Sequence, residues 1–281
     1  MDYNQIVWLA SYPKSGNTWV RCFLEAYVLG EVDINDLVIS IPDDLAARHL
    51  VGDGSNPVEY PVDIQALTRP TALLRLVRQY EANKIHGVPL FVKTHNAHML
   101  ANGVEALPSS LTKATVYLIR DPRDVVVSFS KHMGADLDQG IDWFLDKYRV
   151  LEDKRGSKMT DFISSWPRNA ASYCNADSHN VMVVRFEDLK NDPVKWFTHI
   201  LEHSGIEPDP ERVKKAIKTV DISRLRKQEK ANGFRESSPN AKDKFFGKGK
   251  TGGWKDVLTK GQARRIEKGC KSMMNRYYKA K

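Results

Sequence analysis

Residues 6–24 read Ile-Val-Trp-Leu-Ala-Ser-Tyr-Pro-Lys-Ser-Gly-Asn-Thr-Trp-Val-Arg-Cys-Phe-Leu, an apolar block, a polar turn and a second apolar block with helical spacing. That order predicts a strand, a tight loop and a helix. Gly16 lets backbone come close to a ligand, and the loop opens on a helix N-terminus whose first N–H groups have no intrahelical partner. Lys14 puts a cation in the turn, and Ser15 and Thr18 add hydroxyl donors. The stretch therefore reads as a cradle for one tetrahedral anion, a phosphate or a sulfate. The Walker pattern G-x-x-x-x-G-K-[ST] is missing, because the lysine precedes the glycine. The competing plain reading is a strand-to-helix turn with an exposed lysine.

The rest of the chain bounds the choice. With 281 residues, 41% hydrophobic and 28% charged, the composition is that of a globular protein, and a single domain spanning residues 1–281 is expected. No apolar run approaches a membrane span and the first residues lack the pattern of a signal peptide, so a cytoplasmic setting without a membrane partner is expected. Cys22, Cys174 and Cys270 are widely spaced, which disfavours disulfides and zinc. The net charge of +8 is uneven. Residues 224–281 carry 18 Lys/Arg against 5 Asp/Glu, and residues 1–223 carry 25 against 30. This basic end is a solvated face, a nucleic-acid contact or a cover for a polyanionic small ligand.

Residues 31–66, rich in Asp, Pro and Gly, read as a variable insert with one short helix and as one wall of a substrate pocket. Residues 68–86 have helical spacing. Residues 88–95 form a second strand that ends in Lys93-Thr94-His95, where open parallel sheets present groups to the ligand crevice. A third strand, residues 114–119, leads to Arg120 and a helix capped by Asp121 with Pro122 at its first position. Ser128 lies about two turns along that helix. Arg120 either faces the ligand or pairs with Asp124. Residues 138–177 read as two helices around Gly156, with Trp143, Phe144, Tyr148, Phe162, Ile163 and Trp166 as core or pocket lining. Residues 180–186 form a fourth strand, and the turn after it runs into a helix ending near Gly205. Two basic helices follow at 208–220 and 222–230, then a glycine-rich and lysine-rich segment, 232–253, expected to be a mobile lid, and one last helix, 260–278.

Together these blocks resemble the sulfotransferases that use 3′-phosphoadenosine 5′-phosphosulfate (PAPS). Residues 12–19 are similar to the family's phosphosulfate loop Y-P-K-S-G-T-T-W, with Asn17 in place of the first Thr. Residues 117–128 are similar to its 3′-phosphate block, with Arg120 and Ser128 eight apart. Residues 247–255 are similar to its R-K-G-x-x-G-x-W-K segment, and Lys93-Thr94-His95 to its K-T-H. The resemblance implies a single α/β domain with a central parallel sheet flanked by helices. It implies a PAPS-binding set of Ser15, Gly16, Asn17, Thr18, Trp19, Arg120, Ser128, Phe186, Ile222, Lys248 and Gly249. Gly247 replaces an Arg of the family and Phe186 a Tyr. Lys14, His95 and Lys93 are the implied catalytic groups: Lys14 at the leaving phosphate oxygen, His95 as general base, Lys93 on the transferring group.

Sulfuryl transfer to a hydroxyl or amine of a small molecule, leaving 3′-phosphoadenosine 5′-phosphate (PAP), depends on positioning and charge and implies no metal. An unperturbed imidazole titrates near about 6.5, so His95 is expected to be neutral near pH 7. A nucleotide kinase and a nucleic-acid-binding protein using the basic end are the rival readings. No nucleic-acid partner is expected on the sulfotransferase reading, and a homodimer is left open.

Overall fold

The computed structural model describes residues 5–42, 73, 77, 87–101, 104–152, 160–176, 179–241, 243–247 and 249–279. Five parallel strands make the central sheet: β1 (Ile6–Ser11), β2 (Ser40–Pro42), β3 (Leu90–Thr94), β4 (Thr112–Ile119) and β5 (Val181–Arg185), in the spatial order β2-β3-β1-β4-β5. β1 is central and every one of its residues is buried, so it reads as a continuous apolar run with no alternation. Burying each of Ile6, Val7, Trp8 and Leu9, all fully enclosed, contributes about 1.5–3 kcal/mol.

The period of two along β1 divides the core. Ile6, Trp8 and Ala10 face one side, with Tyr117, Ile119, Phe144, Trp166 and Ile266. Val7 and Leu9 face the other, with Phe23, Val116, Phe197 and Val213. Helices cover both faces. α1 (Asn17–Leu29) follows β1 and stops at Gly30, whose φ of 86° lets its N–H reach Ala26 O. α2 (Pro122–Met133) follows β4, with Asp121 accepting from Arg123 N as its cap and Pro122 at the first position, as the sequence predicts. α3 (Leu137–Leu145), α4 (Trp166–Cys174), α5 (Phe186–Asn191), α6 (Pro193–His203), α7 (Pro210–Thr219), α8 (Ile222–Asn232), α9 (Lys260–Gly269) and α10 (Lys271–Tyr277) complete the described helices.

Several expectations are corrected. The span 138–177 holds α3 and α4, but between them Leu151–Glu152 pairs antiparallel with Thr160–Asp161; Gly156 lies outside the described residues. Tyr148 is 75% exposed and lines no core. The single helix expected after β5 is two, because Asp192, at φ −136° and ψ 74°, leaves the helical conformation and its side chain caps α6 by accepting from Lys195 N. The final helix is also two, broken at Cys270. The edge strand β2, which no sequence pattern signals, is three residues long and lies in the expected insert. Residues 43–66 of that insert lie outside the described residues, as does nearly all of the helix expected at 68–86, of which Leu73 and Val77 are described as helical and buried.

Candidate active site

Sheet register assembles the site. Leu9 pairs with Lys93 and Ala10 with Thr94, so His95 emerges beside Ser11. Ser11 pairs with Leu118, so Arg120 emerges two residues beyond the same line. The loop 12–16, the Lys93-Thr94-His95 end and Arg120 therefore share the carboxyl edge of three adjacent strands, where the strand order switches direction and parallel sheets bind ligands.

The loop is built to bring backbone inward. Lys14 and Gly16 have φ of 69° and 101°. Gly16 is the N-cap of α1 without a capping side chain; its carbonyl accepts from Trp19 N, and the first two helical amides, of Asn17 and Thr18, are left for another acceptor. A Cβ at Gly16 would stand 2.7 Å from Phe186 Cδ2, which leaves that position to glycine on two counts. Ser15 Oγ is buried with no hydrogen-bond partner. Thr18 is buried, and Trp19 meets Phe186 edge-on at 6.1 Å while its Nε1 donates to Val220 O. Asn17 differs from its neighbours: its Nδ2 donates to Leu9 O (2.8 Å) and Ser11 Oγ (3.3 Å), so its side chain braces the end of β1, while its Oδ1 is buried without a hydrogen-bond partner. Burial first, then the Arg120 guanidinium, pulls the Lys14 ammonium down to about 7, against the opposing pull of Glu229 and Glu236. Its Nζ lies 3.4 Å from the centroid of the Phe245 ring.

Arg120 donates to Lys14 O (3.1 Å) and Lys250 O (3.2 Å), lies over the Phe186 ring, and keeps a buried Nε with no partner. The expected alternative, a pair with Asp124, is corrected. Asp124 accepts instead from Gly252 N (2.6 Å) and Trp254 N (2.9 Å), because these amides turn inward at a Gly252 whose φ is 74°. Ser128 is half-buried on α2, and Ile222 is 38% exposed at the start of α8. Lys248 lies outside the described residues. Gly249 O accepts from Lys190 Nζ, a cation on α5 whose pKa is lowered by burial and then by Arg120.

At the neighbouring strand end, His95 Nδ1 lies 2.8 Å from Ser11 O and 3.3 Å from Ser11 Oγ. A carbonyl oxygen only accepts, so the neutral ring carries its proton on Nδ1 and the lone pair on Nε2. Asn169 Nδ2 donates to His95 O, and Tyr117 OH to Asn169 Oδ1, which ties this backbone to α4 and β4. Lys93 Nζ lies 3.7 Å from Glu236 Oε2, and the other oxygen of Glu236 accepts from Arg21 Nη1 at 2.6 Å. Sequence reasoning missed Arg21, Glu236 and Lys190. A signal for Arg21 was present: it stands alone between Val20 and Cys22 on the buried face of a helix.

The described part of segment 232–253, the expected mobile lid, gathers an apolar cluster of its own. Phe234 and Phe246 are buried, and both pack on Phe245, at 4.6 and 5.3 Å between centroids. The carboxylate of Glu229 accepts from the amides of Phe245 and Phe246.

The donors converging here, an unpartnered Ser15 hydroxyl, an unpartnered Arg120 Nε and the Lys14 ammonium, fit a phosphate or sulfate ester. The comparisons with known proteins agree with that chemistry, since the family described as the sulfotransferase domain matches residues 4–278. The chain belongs to this family. As a sulfotransferase it is similar to cytosolic sulfotransferase 13 of Arabidopsis thaliana, 23% identical over 95% of this chain and 76% of the relative. It is similar also to sulfotransferase 1A1 of Canis lupus familiaris, 26% identical over 92% and 80%. Among solved structures, its fold matches retinol dehydratase in complex with androsterone and the inactive cofactor PAP. That match has a TM-score of 0.62 and 18% identity, and covers 100% of this chain and 85% of the other. Mouse sulfotransferase SULT7A1 complexed with PAP matches with a TM-score of 0.56 and 19% identity, over 97% of this chain and 85% of the other.

Proposed function

We propose that this sulfotransferase moves the sulfuryl group of PAPS onto a hydroxyl or amine of a small-molecule acceptor by in-line displacement. The acceptor atom bonds to sulfur as the bond from sulfur to the 5′-phosphate oxygen breaks, and that oxygen keeps the electron pair. The acceptor's proton passes to His95 Nε2, the nitrogen left basic by the contact of Nδ1 with Ser11 O. That 2.8 Å contact carries the reading, because it fixes the base to the strand end that also bears the anion loop. Lys14 supports the leaving oxygen and Lys93 the transferring group. Ser15, Gly16, Asn17, Thr18 and Trp19 hold the 5′-phosphosulfate, Asn17 through its backbone. Arg120, Ser128, Lys248 and Gly249 hold the 3′-phosphate, and Phe186 and Ile222 border the base. Where the family often has an Arg, Gly247 offers no cation; Lys190, beside Gly249, is the nearby replacement.

PAPS is the co-substrate on this reading and no metal takes part. Among the described residues no group of three or more His, Cys, Asp or Glu is gathered to hold one. We place the reaction in the cytoplasm without a membrane or nucleic-acid partner. Among the described residues no helix is long and apolar enough to cross a membrane. Incubation with sulfur-labelled PAPS and panels of alcohols, phenols, amines and carbohydrates tests the proposal. Label transfer to at least one acceptor is expected without added metal. Failure of the protein to bind PAP together with absence of transfer across the panels would overturn it.

A further inference from the structure

Arg21 is a guanidinium 1% exposed inside the protein, and such a charge stays there only if it is compensated. Its Nε is held by Ser40 Oγ on β2 (3.0 Å) and its Nη1 by Glu236 Oε1 (2.6 Å). Glu236 is brought there by the segment after α8. Arg235 N donates to Asn35 Oδ1 and Asn35 Nδ2 to Gly233 O, while Phe234 enters the core. The carboxylate is thus anchored through one oxygen, and the second points to Lys93 Nζ at 3.7 Å. Burial opposes its ionisation, but Lys93, then Arg21, and further His95, outweigh it and hold the carboxyl at about 2, so the group is a permanent anion.

Among the described residues, the charged groups around this end of the sheet are few. Lys93 comes from β3, Lys14 from the loop after β1, Arg21 from α1 and Arg120 from the end of β4. Glu236 is the acid among them, with Glu229 behind Phe245. On the other flank Asp161 is tied to Asn96 Nδ2, and α4 presents the neutral amide of Asn169. A general base two residues from the Lys93 ammonium would resist taking a proton, because an imidazolium beside that cation would be destabilised as it formed.

We propose that Glu236 is a positioning residue of the reaction: it holds the Lys93 ammonium at the end of β3 and keeps His95 basic by balancing the cations around it. The role rests on the sulfuryl-transfer reading of the site. Glu236 touches no reacting atom and acts through Lys93 and His95.

The test uses the full chain with Glu236→Gln, which keeps the shape and the hydrogen bond to Arg21 but removes the charge, and Glu236→Asp, which keeps the charge. Titration of the His95 imidazole by NMR, without ligand, is expected to move its midpoint down by about one pH unit in Glu236→Gln and to recover most of that in Glu236→Asp. The turnover number is expected to fall about 10-fold in Glu236→Gln with the PAP dissociation constant within about 3-fold of the parent. If Glu236→Gln does not fold, the double variant Arg21→Met/Glu236→Gln is compared with Arg21→Met alone, and the same downward shift of the His95 midpoint is expected between those two proteins. An unchanged His95 midpoint overturns the proposal, as does an equal loss of turnover in the Asp and Gln variants. The titration needs no turnover, so a parent protein that transfers no sulfuryl group would sink the functional reading while this inference is still decided by the midpoint.

Discussion

Lys14 holds a backbone conformation that L-residues rarely adopt, with its ammonium drawn into a site where burial and Arg120 disfavour charge. A titration point of about 7 without ligand has a signed consequence. A phosphosulfate or phosphate restores the charge, so the bound site takes up a proton, and affinity for PAP should fall as pH rises from about 7. Calorimetry at pH 8 in buffers of different ionisation heat should register nearly one proton taken up per PAP; zero uptake would remove Lys14 from the anion site. Arg120→Ala should weaken PAP by about 10- to 150-fold, the value of a charge-assisted contact of 1.5–3 kcal/mol, yet barely affect a nucleotide lacking the 3′-phosphate. Equal losses for both nucleotides would make Arg120 a brace for the carbonyls of Lys14 and Lys250 and nothing more.

At the scale of elements, what the sequence shows best is what local pattern encodes. The apolar runs of β1, β3, β4 and β5 and the polar punctuation after them place the anion loop, His95 and Arg120 at strand ends, where the register then joins them. β2 escapes because three residues, one of them proline, give no period. The break at Cys270 escapes because helical spacing continues on both sides of it. Arg21 and Glu236 escape because they lie 215 residues apart, and no local pattern reports a contact of that span. In segment 232–253 Phe234 stands apart in sequence from the Phe245-Phe246 pair, with lysines and glycines around them, so no local period announces that the three rings meet in space. We expect this segment to tighten over bound nucleotide. Hydrogen exchange with and without PAP should show slower exchange across it in the complex, and identical exchange would assign the clamp to another element. In the loop, Gly16→Ala meets both a positive φ and the Phe186 ring. A loss of about 1–3 kcal/mol of stability is expected, read as a lowered melting temperature, together with weaker PAP binding.

The whole molecule is a three-layer α/β fold whose fully buried central strand leads directly into the loop that carries Lys14 and Ser15. Away from that edge, His98 Nε2 and His179 Nε2 lie 3.1 Å apart, and His179 also reaches Leu107 O. Burial, then His179, lowers the pKa of His98. The unfolded chain therefore binds the proton more readily, and stability should decline as pH falls below about 6.5, the unfolded value. Melting curves from pH 8 to pH 5 check this, and His98→Gln should flatten the decline. For the function, the deciding quantity is the rate of label transfer from sulfur-labelled PAPS to an accepted small molecule, measured in the parent protein and in His95→Ala at saturating PAPS. The account predicts a loss of at least about 100-fold with PAP affinity retained. Transfer at the parental rate in a folded His95→Ala protein would contradict it.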